Sequence, residues 1–257
     1  MKKIVVAALV AVVCTVSASA QDAAAIVKAS RDRIKADTVS SRSRMVLSAK
    51  DGRTSERLID QYSKDGPDGS RTIIVFQSPA SVAGTRFLTM ENKNGKNDQW
   101  IFLPSLGKVR RIDSSEGSGS FMGTDLSYDD IASSSRDSAL DTHRIQREEN
   151  LNGTLCYVIE SVPKDGAYQY SKMIQWIDKA NGISYRIELY DKKGALAKVL
   201  ESAAVKNIQG RLTPTVTKMT TIATGTSTTI TIEIMKYDDP IPDGVFTARY
   251  LETGRAR

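Results

Sequence analysis

The sequence holds few side chains that could perform acid–base or nucleophilic chemistry. His143 is the single histidine, and it alternates with Ile145 and Arg147 in the pattern of a β-strand. Many serine hydrolases place the nucleophile in a Gly-x-Ser-x-Gly turn, and the sequence contains no such turn. We therefore interpret His143 as a surface residue of a strand. One histidine still leaves a hydrolytic triad as an open alternative.

Metal and nucleotide sites are not indicated either. A typical zinc site takes four ligands, mainly Cys and His, and only Cys156 and His143 remain once Cys14 is assigned to a leader. Segment 125–130 contains three aspartates, but their spacing is not that of a calcium loop. A phosphate-binding Gly-x-x-x-x-Gly-Lys loop is also missing from the sequence. The sequence thus predicts no catalytic residue, no metal and no cofactor.

Apolar strand faces are the stronger signal. Large apolar residues alternate along several predicted strands, and an incompletely closed sheet can enclose a cavity wide enough for an acyl chain. Segment 114–123 has three glycines and four serines, so we predict a mobile loop that exposes its two apolar residues and could cover such a cavity. The alternative is that these side chains only pack on one another and on the first helix. The predicted acyl contacts are Leu88, Met90, Trp100, Phe102, Phe121 and Met122.

A short basic stretch follows the apolar strands. Lys108, Arg110 and Arg111 could contact phosphate or anionic lipid head groups, and the alternative is a solvated strand end. Basic residues nowhere form runs of five or more, which argues against a nucleic-acid partner.

The N-terminus is typical of an export signal. Lys2 and Lys3 precede an apolar run, and Ala18-Ser19-Ala20 provides small residues for cleavage after residue 20. Removing residues 1–20 leaves 237 residues and lowers the formal charge from +6 to +4, because two lysines leave with the signal. We therefore expect a periplasmic protein. The alternatives are an uncleaved anchor or a lipid anchor at Cys14, whose preceding residues match the lipoprotein pattern poorly.

Hydrophobic periodicity predicts which elements must position these residues. A helix is expected over residues 21–37, with Ile26, Val27, Ser30 and Ile34 on one face. About a dozen strands with period-two alternation follow, joined by turn signals such as Asn152-Gly153. A short helix is expected over 127–133, capped by Ser127. Tight turns between strands predict one antiparallel, barrel-like domain over residues 21–257.

Two sequence blocks resemble a known family. The central block contains Trp100-Ile101-Phe102-Leu103-Pro104, then Lys108 to Ile112, then Gly119-Ser120-Phe121-Met122-Gly123-Thr124-Asp125-Leu126-Ser127-Tyr128-Asp129-Asp130-Ile131. The end of the chain adds Val245-Phe246-Thr247-Ala248-Arg249-Tyr250-Leu251. Together these are similar to the outer-membrane lipoprotein-sorting family with the LolA/LolB-like fold, in a less characterised branch.

The resemblance implies a mainly β fold, an open antiparallel barrel of about eleven strands with helices covering its concave face. It also implies a carrier without enzyme activity, which shields acyl chains of phospholipid or lipoprotein between the inner and outer membranes. An inner-membrane exporter, an outer-membrane acceptor and transient membrane contact would be its partners. The competing hypotheses are a structural or adhesive envelope protein with a packed core, and an exported hydrolase.

Overall fold

The computed structural model describes residues 16–92, 97–113, 115–132 and 136–256. Cys14 and most of the predicted export signal lie outside the described residues, so the leader and its cleavage stay predictions. No helix within the described ranges has the length and apolar character needed to span a bilayer.

Helix α1 spans Val16–Arg31, so it begins five residues earlier and ends six residues earlier than the helix predicted over residues 21–37. Its last turn carries Lys28 and Arg31, whose charges favour the C-terminal end of a helix dipole. Val27 is buried against the sheet beside Ile159 and Ile177, which confirms the apolar face expected from the sequence.

Within the described residues, thirteen antiparallel strands form one sheet, close to the dozen that the alternating pattern predicted, whereas the resemblance implied about eleven. The order is β6-β5-β4-β3-β2-β1-β13-β12-β11-β10-β9-β8-β7, so β6 and β7 are free edges and the barrel stays open. The mainly β, open-barrel fold class is confirmed. The strands are β1 Thr38–Ser48, β2 Thr54–Lys64, β3 Arg71–Ser78, β4 Arg86–Met90, β5 Asp98–Leu103, β6 Lys108–Arg111, β7 Asp141–Leu151, β8 Thr154–Pro163, β9 Lys172–Asp178, β10 Ser184–Tyr190, β11 Leu196–Ile208, β12 Arg211–Thr221 and β13 Thr226–Tyr237.

Tight turns set the register of this sheet. Between β7 and β8, Asn152 and Gly153 have φ values of 52° and 90°, the left-handed conformation of a two-residue hairpin turn. Asparagine and glycine adopt it at low cost, so the sequence signal and the observed turn agree.

The two faces of the sheet are covered by different segments. The inner, concave face carries Met45, Ile74 and Phe87 and is covered by α1 and by residues 115–132. The outer face of β3–β6 carries Ile73, Val75 and Leu88 and is covered by residues 241–256, which include a 3₁₀ turn at Asp243–Phe246 and helix α3. Alternation along each strand therefore sends neighbouring residues to two separate cores.

Two short helices complete the coverings. Helix α2 spans Tyr128–Ala132, and Ser127 Oγ accepts from Asp130 N at 2.9 Å while Asp130 Oδ2 accepts from Ser127 N at 2.8 Å. This reciprocal cap confirms the predicted helix start. Helix α3 spans Ala248–Thr253, and Arg86 Nη1 donates to Leu251 O at 2.8 Å, which fixes its C-terminal end on the outer face.

Candidate functional site

A cavity of about 490 Å³ lies on the inner face of the sheet. It is bounded by α1, by residues 126–131 and by the inner faces of β9 to β12, with Gln61 and Thr72 reaching it from β2 and β3. Ligand pockets in proteins commonly measure about 300–1,000 Å³, so this cavity has the size of a small-molecule or acyl-chain site.

The walls of this cavity are mainly apolar. Met173 and Leu189 are buried, as are Tyr170 and Met219, and they pack as one cluster with partly buried neighbours. Polar side chains from the strands, including Ser202 and Thr217, interrupt the apolar surface. Apolar walls favour a hydrocarbon ligand over a polar one, because burying an unpaired polar group is costly. The apolar side chains at the cavity are Val27, Leu126, Ile131, Tyr170, Met173, Ile183, Ile187, Leu189, Leu200 and Met219.

Segment 115–132 covers the inner face, and Phe121 anchors it. The Phe121 side chain has no exposed area and lies with its ring centroid 5.0 Å from that of Phe87 and 5.8 Å from that of Phe76. Met122 is partly buried beside it. The prediction that this loop exposes both residues was therefore wrong for Phe121, because an aromatic side chain gains more by filling the inner core than by facing water.

Asp125 ties the same segment to the far side of the sheet. Its carboxylate accepts hydrogen bonds from the hydroxyls of Thr221, Thr226 and Thr228, at the facing ends of β12 and β13. The backbone N–H of Asp125 also donates to Thr228 Oγ1 at 2.9 Å. A carboxylate with three hydroxyl donors is well satisfied, so this contact opposes the loop mobility predicted from the glycine and serine content.

Asp130 makes the second attachment, at the edge of the cavity. Its side chain is 6% exposed and accepts from Lys198 Nζ and Tyr170 Oη, both at 2.8 Å, and from Gln169 Nε2 at 2.9 Å. Burial and the Asp130 carboxylate raise the pKa of Tyr170, which keeps its hydroxyl a donor at neutral pH. The cover is therefore held by a largely buried ion pair with Lys198 of β11.

Cationic side chains stand at one end of the cavity. Arg31, Arg33 and Arg136 line it, and burial lowers the pKa of the Arg33 guanidinium. The Arg136 guanidinium lies 4.1 Å from the ring centroid of Tyr168 and donates to Asp141 at 2.7 Å. Arg31 also pairs with Asp32 and Asp137, whereas Arg33 donates to the carbonyl oxygen of Leu212, so Arg33 is the cation best placed to meet an anionic head group.

A wider polar cleft of about 1650 Å³ adjoins the cavity at the open seam between the two sheet edges. Arg31, Arg136 and Tyr168 line both spaces, so the cavity opens towards this cleft. Carboxylates outnumber cations on the cleft wall, and burial, reinforced by Glu91, raises the pKa of Asp65 there. The cleft supplies a solvent path to the cavity rather than an apolar site.

The structure does not bring the six predicted acyl contacts together. Phe121 and Met122 lie on the inner face, while the other four lie on the outer face beneath residues 241–256. Residues 241–256 cover these four side chains, whereas the alternative interpretation of the sequence packed them on one another and on the first helix. A role of the six predicted residues in lipid binding stays a prediction. The four outer-face residues are Leu88, Met90, Trp100 and Phe102.

The basic stretch lies on the short edge strand β6. Arg110 pairs with Glu116 at 2.6 Å and Arg111 pairs with Asp98, so these two cations already have carboxylate partners. Lys108 is exposed at the start of the strand. Head-group contact by the three residues stays a prediction. Of the three, Lys108 suits that contact best because its side chain is exposed, whereas Arg110 and Arg111 are paired with carboxylates.

His143 is buried, which corrects its interpretation as a surface residue. Its Nε2 lies 2.8 Å from Ser138 O and its Nδ1 lies 2.8 Å from Ser161 Oγ. A carbonyl oxygen can only accept, so Nε2 carries the proton and Nδ1 accepts from the serine. Ser161 has no exposed area and could not reach a substrate as a nucleophile. Within the described ranges, His, Cys, Asp and Glu form no group that could hold a metal ion.

Sequence reasoning missed the residues that shape the cavity. Leu200 and Met219 lie on long alternating strands whose pattern shows which face is apolar but not which part of that face stays unfilled. Asp125 and Asp130 stand out in the sequence only as members of an aspartate-containing segment whose spacing is not that of a calcium loop. Their position within the family-like block was the available signal that they do more.

Comparisons with known proteins agree with this architecture. A family model described as "Uncharacterized protein" matches residues 68–253. A DUF1329 family protein from Desulfovibrio piger is 31% identical, with a TM-score of 0.86 over 91% of this chain and 99% of that one. No curated protein sequence matches this chain.

Two further solved structures share the fold. A candidate outer membrane lipoprotein-sorting protein domain from Vibrio parahaemolyticus is 29% identical, with a TM-score of 0.85 over 91% of this chain and 99% of that one. A LolA superfamily protein from Nitrosomonas europaea is 24% identical, with a TM-score of 0.72 over 89% of this chain and 99% of that one.

Proposed function

The chain belongs to the DUF1329 family, and we propose that it is a periplasmic carrier of lipid acyl chains with the LolA-like fold. It takes up the acyl chains of a phospholipid or lipoprotein in the inner-face cavity and moves them between the inner and outer membranes. The observation that carries this proposal is the apolar cavity of about 490 Å³ beneath segment 115–132.

The driving force is transfer of hydrocarbon out of water. Each buried methylene contributes about 0.8 kcal/mol, so a sixteen-carbon chain offers on the order of 10 kcal/mol before ordering costs. Such a gain is enough to transfer an acyl chain from water into the cavity. Release of the chain then requires a membrane or a partner protein. An inner-membrane exporter and an outer-membrane acceptor are the partners expected for loading and unloading.

The residues that contact the acyl chain are those of the inner face. Leu126 and Ile131 contribute from the cover, and Ile187, Leu200 and Met219 contribute from the strands. Arg33 then meets the anionic head group, at the end of the cavity where Arg31 and Arg136 are already paired with carboxylates. Trp100 and its outer-face neighbours stabilise the fold beneath residues 241–256 in this proposal.

A matched pair of substitutions on β11 tests the cavity. Ser202 lines the cavity, whereas Ala203 points to the opposite face and is exposed. Ser202→Phe is expected to weaken binding of a fluorescent sixteen-carbon fatty acid at least tenfold, because the ring takes up cavity volume. Ala203→Phe adds a ring of the same size to the same strand and should leave the affinity within about twofold. Fluorescence titration of the two purified variants measures both.

The competing function is a structural or adhesive envelope protein with a packed core. That hypothesis predicts no lipid in organic extracts of the purified protein and no saturable fatty-acid binding. Saturable binding that Ser202→Phe leaves intact would place the lipid elsewhere and contradict the cavity proposal.

A further inference from the structure

Five hairpin turns form a row along one end of the sheet. They join β1–β2, β3–β4, β5–β6, β10–β11 and β12–β13, and these strand pairs are neighbours from β6 through to β10. We call this set the tip row and define it as residues 49–53, 79–85, 104–108, 191–195 and 222–225.

Close approaches join the β12–β13 turn to the β1–β2 turn and the β3–β4 turn to the β5–β6 turn. A Cβ added to Gly225 would lie 3.5 Å from the side-chain carbons of Lys50, and one added to Gly84 would lie 3.3 Å from the ring of Pro104. Ile222 N donates to Ala197 O at 2.9 Å, which joins the β12–β13 turn to the start of β11.

The tip row carries a strong excess of positive charge. Its carboxylates are Asp51 and Asp191; the first pairs with Arg53, and the second accepts the backbone N–H groups of Lys193 and Ala195. Both are therefore engaged within their own turns. Five exposed cationic side chains stand against them, namely Lys50, Arg53, Lys108, Lys192 and Lys193.

Two large apolar side chains project from the same row. Leu106 is 62% exposed at the β5–β6 turn and Ile222 is 46% exposed at the β12–β13 turn. An aliphatic side chain among lysines at a turn is the composition that inserts into the interface of a negatively charged bilayer, since lipid takes the apolar group and phosphates take the cations.

We infer that the tip row is the surface with which the protein docks on an anionic phospholipid membrane. The inference deepens the proposed carrier function, on which it rests for its purpose, by naming where the carrier meets its donor or acceptor membrane. The tip at 222–225 stands directly next to the threonines that hold Asp125, so docking there places the bilayer beside the anchor of the cavity cover.

Vesicle co-sedimentation of the full chain tests the charge component. The protein should bind vesicles that contain one third phosphatidylglycerol and should leave pure phosphatidylcholine vesicles unbound at physiological salt. The triple variant K50E/K192E/K193E should lose at least about a hundredfold in affinity, because each lysine near such a surface accounts for roughly fivefold and the introduced glutamates add repulsion. A control with the same change in net charge, K206E/R249E/R255E, alters exposed residues outside the tip row and should stay within about threefold of the parent.

The apolar component separates a membrane from another polyanion. The double variant L106S/I222S should weaken vesicle binding several-fold and leave retention on heparin unchanged. Absence of vesicle binding by the parent protein, or equal loss in the two triple variants, would overturn the inference. The inference would also be overturned if the protein were retained on heparin and L106S/I222S did not alter its vesicle binding.

Fatty-acid binding measured on the same variants distinguishes the two proposals. Vesicle binding through the tip row without fatty-acid uptake would remove the carrier function but keep the docking surface. Fatty-acid uptake without vesicle binding would remove the docking surface but keep the carrier function.

Discussion

Phe121→Ala should lower the free energy of unfolding by about 3–5 kcal/mol, the usual cost of removing a fully buried aromatic ring. The Phe121 ring contacts three others, those of Phe76, Phe87 and Tyr128, and its side chain has no exposed area. Truncation leaves a cavity among rigid sheet residues that can relax only in part. Urea unfolding followed by tryptophan fluorescence measures the change.

The neighbouring residue provides the control for Phe121. Met122 is only partly buried, so Met122→Ala should cost much less than Phe121→Ala. A mobile cover with an exposed tip, as the glycine and serine content predicted, would make both substitutions nearly neutral. A Phe121→Ala effect below about 0.5 kcal/mol would therefore contradict the anchored segment described above.

Asp130→Ala should lower the free energy of unfolding by about 3–5 kcal/mol as well, by a different mechanism. It removes the carboxylate that pairs with the partly buried Lys198, and it leaves the Tyr170 hydroxyl and the Gln169 amide without their acceptor. Removing one partner of a buried pair is costly because the other charge stays desolvated. Lys198→Met combined with Asp130→Asn should recover part of the loss, since it removes both charges together.

An exposed ion pair gives the comparison for Asp130. Glu56 and Arg44 pair across β1 and β2 with about half of each side chain exposed, so Glu56→Ala should cost less than about 1 kcal/mol. Equal effects of Asp130→Ala and Glu56→Ala in the same unfolding assay would mean that Asp130 does not hold the cover.

Local patterns predicted most of this fold. Most strands of the described residues coincide with stretches that the sequence pattern predicts, although β3 is apolar on both faces, and Asn152-Gly153 supplies a turn that its residue types favour. The start of helix α2 was predicted from Ser127 as its N-terminal cap. These features depend on neighbours in the sequence, so the sequence alone is sufficient for them.

The site depends on which face each segment covers, and alternation does not specify that. Trp100 and Phe121 are similar in character, yet Trp100 lies beneath residues 241–256 and Phe121 lies on the opposite face. The choice follows from long-range contacts, such as that of Asp125 with Thr228, about a hundred residues away along the chain. The glycines and serines of segment 114–123 indicated mobility because the conformational preferences of single residues take no account of such long-range contacts.

Photo-crosslinking with a diazirine-bearing sixteen-carbon fatty acid would show which face of the sheet holds the acyl chain. We expect saturable adducts on peptides that contain Leu126 to Ile131, Leu200 and Met219, and their loss in Ser202→Phe but not in Ala203→Phe. Adducts concentrated on peptides with Leu88, Trp100 or Phe102, or no adducts above those of the heat-unfolded protein, would contradict the cavity proposal.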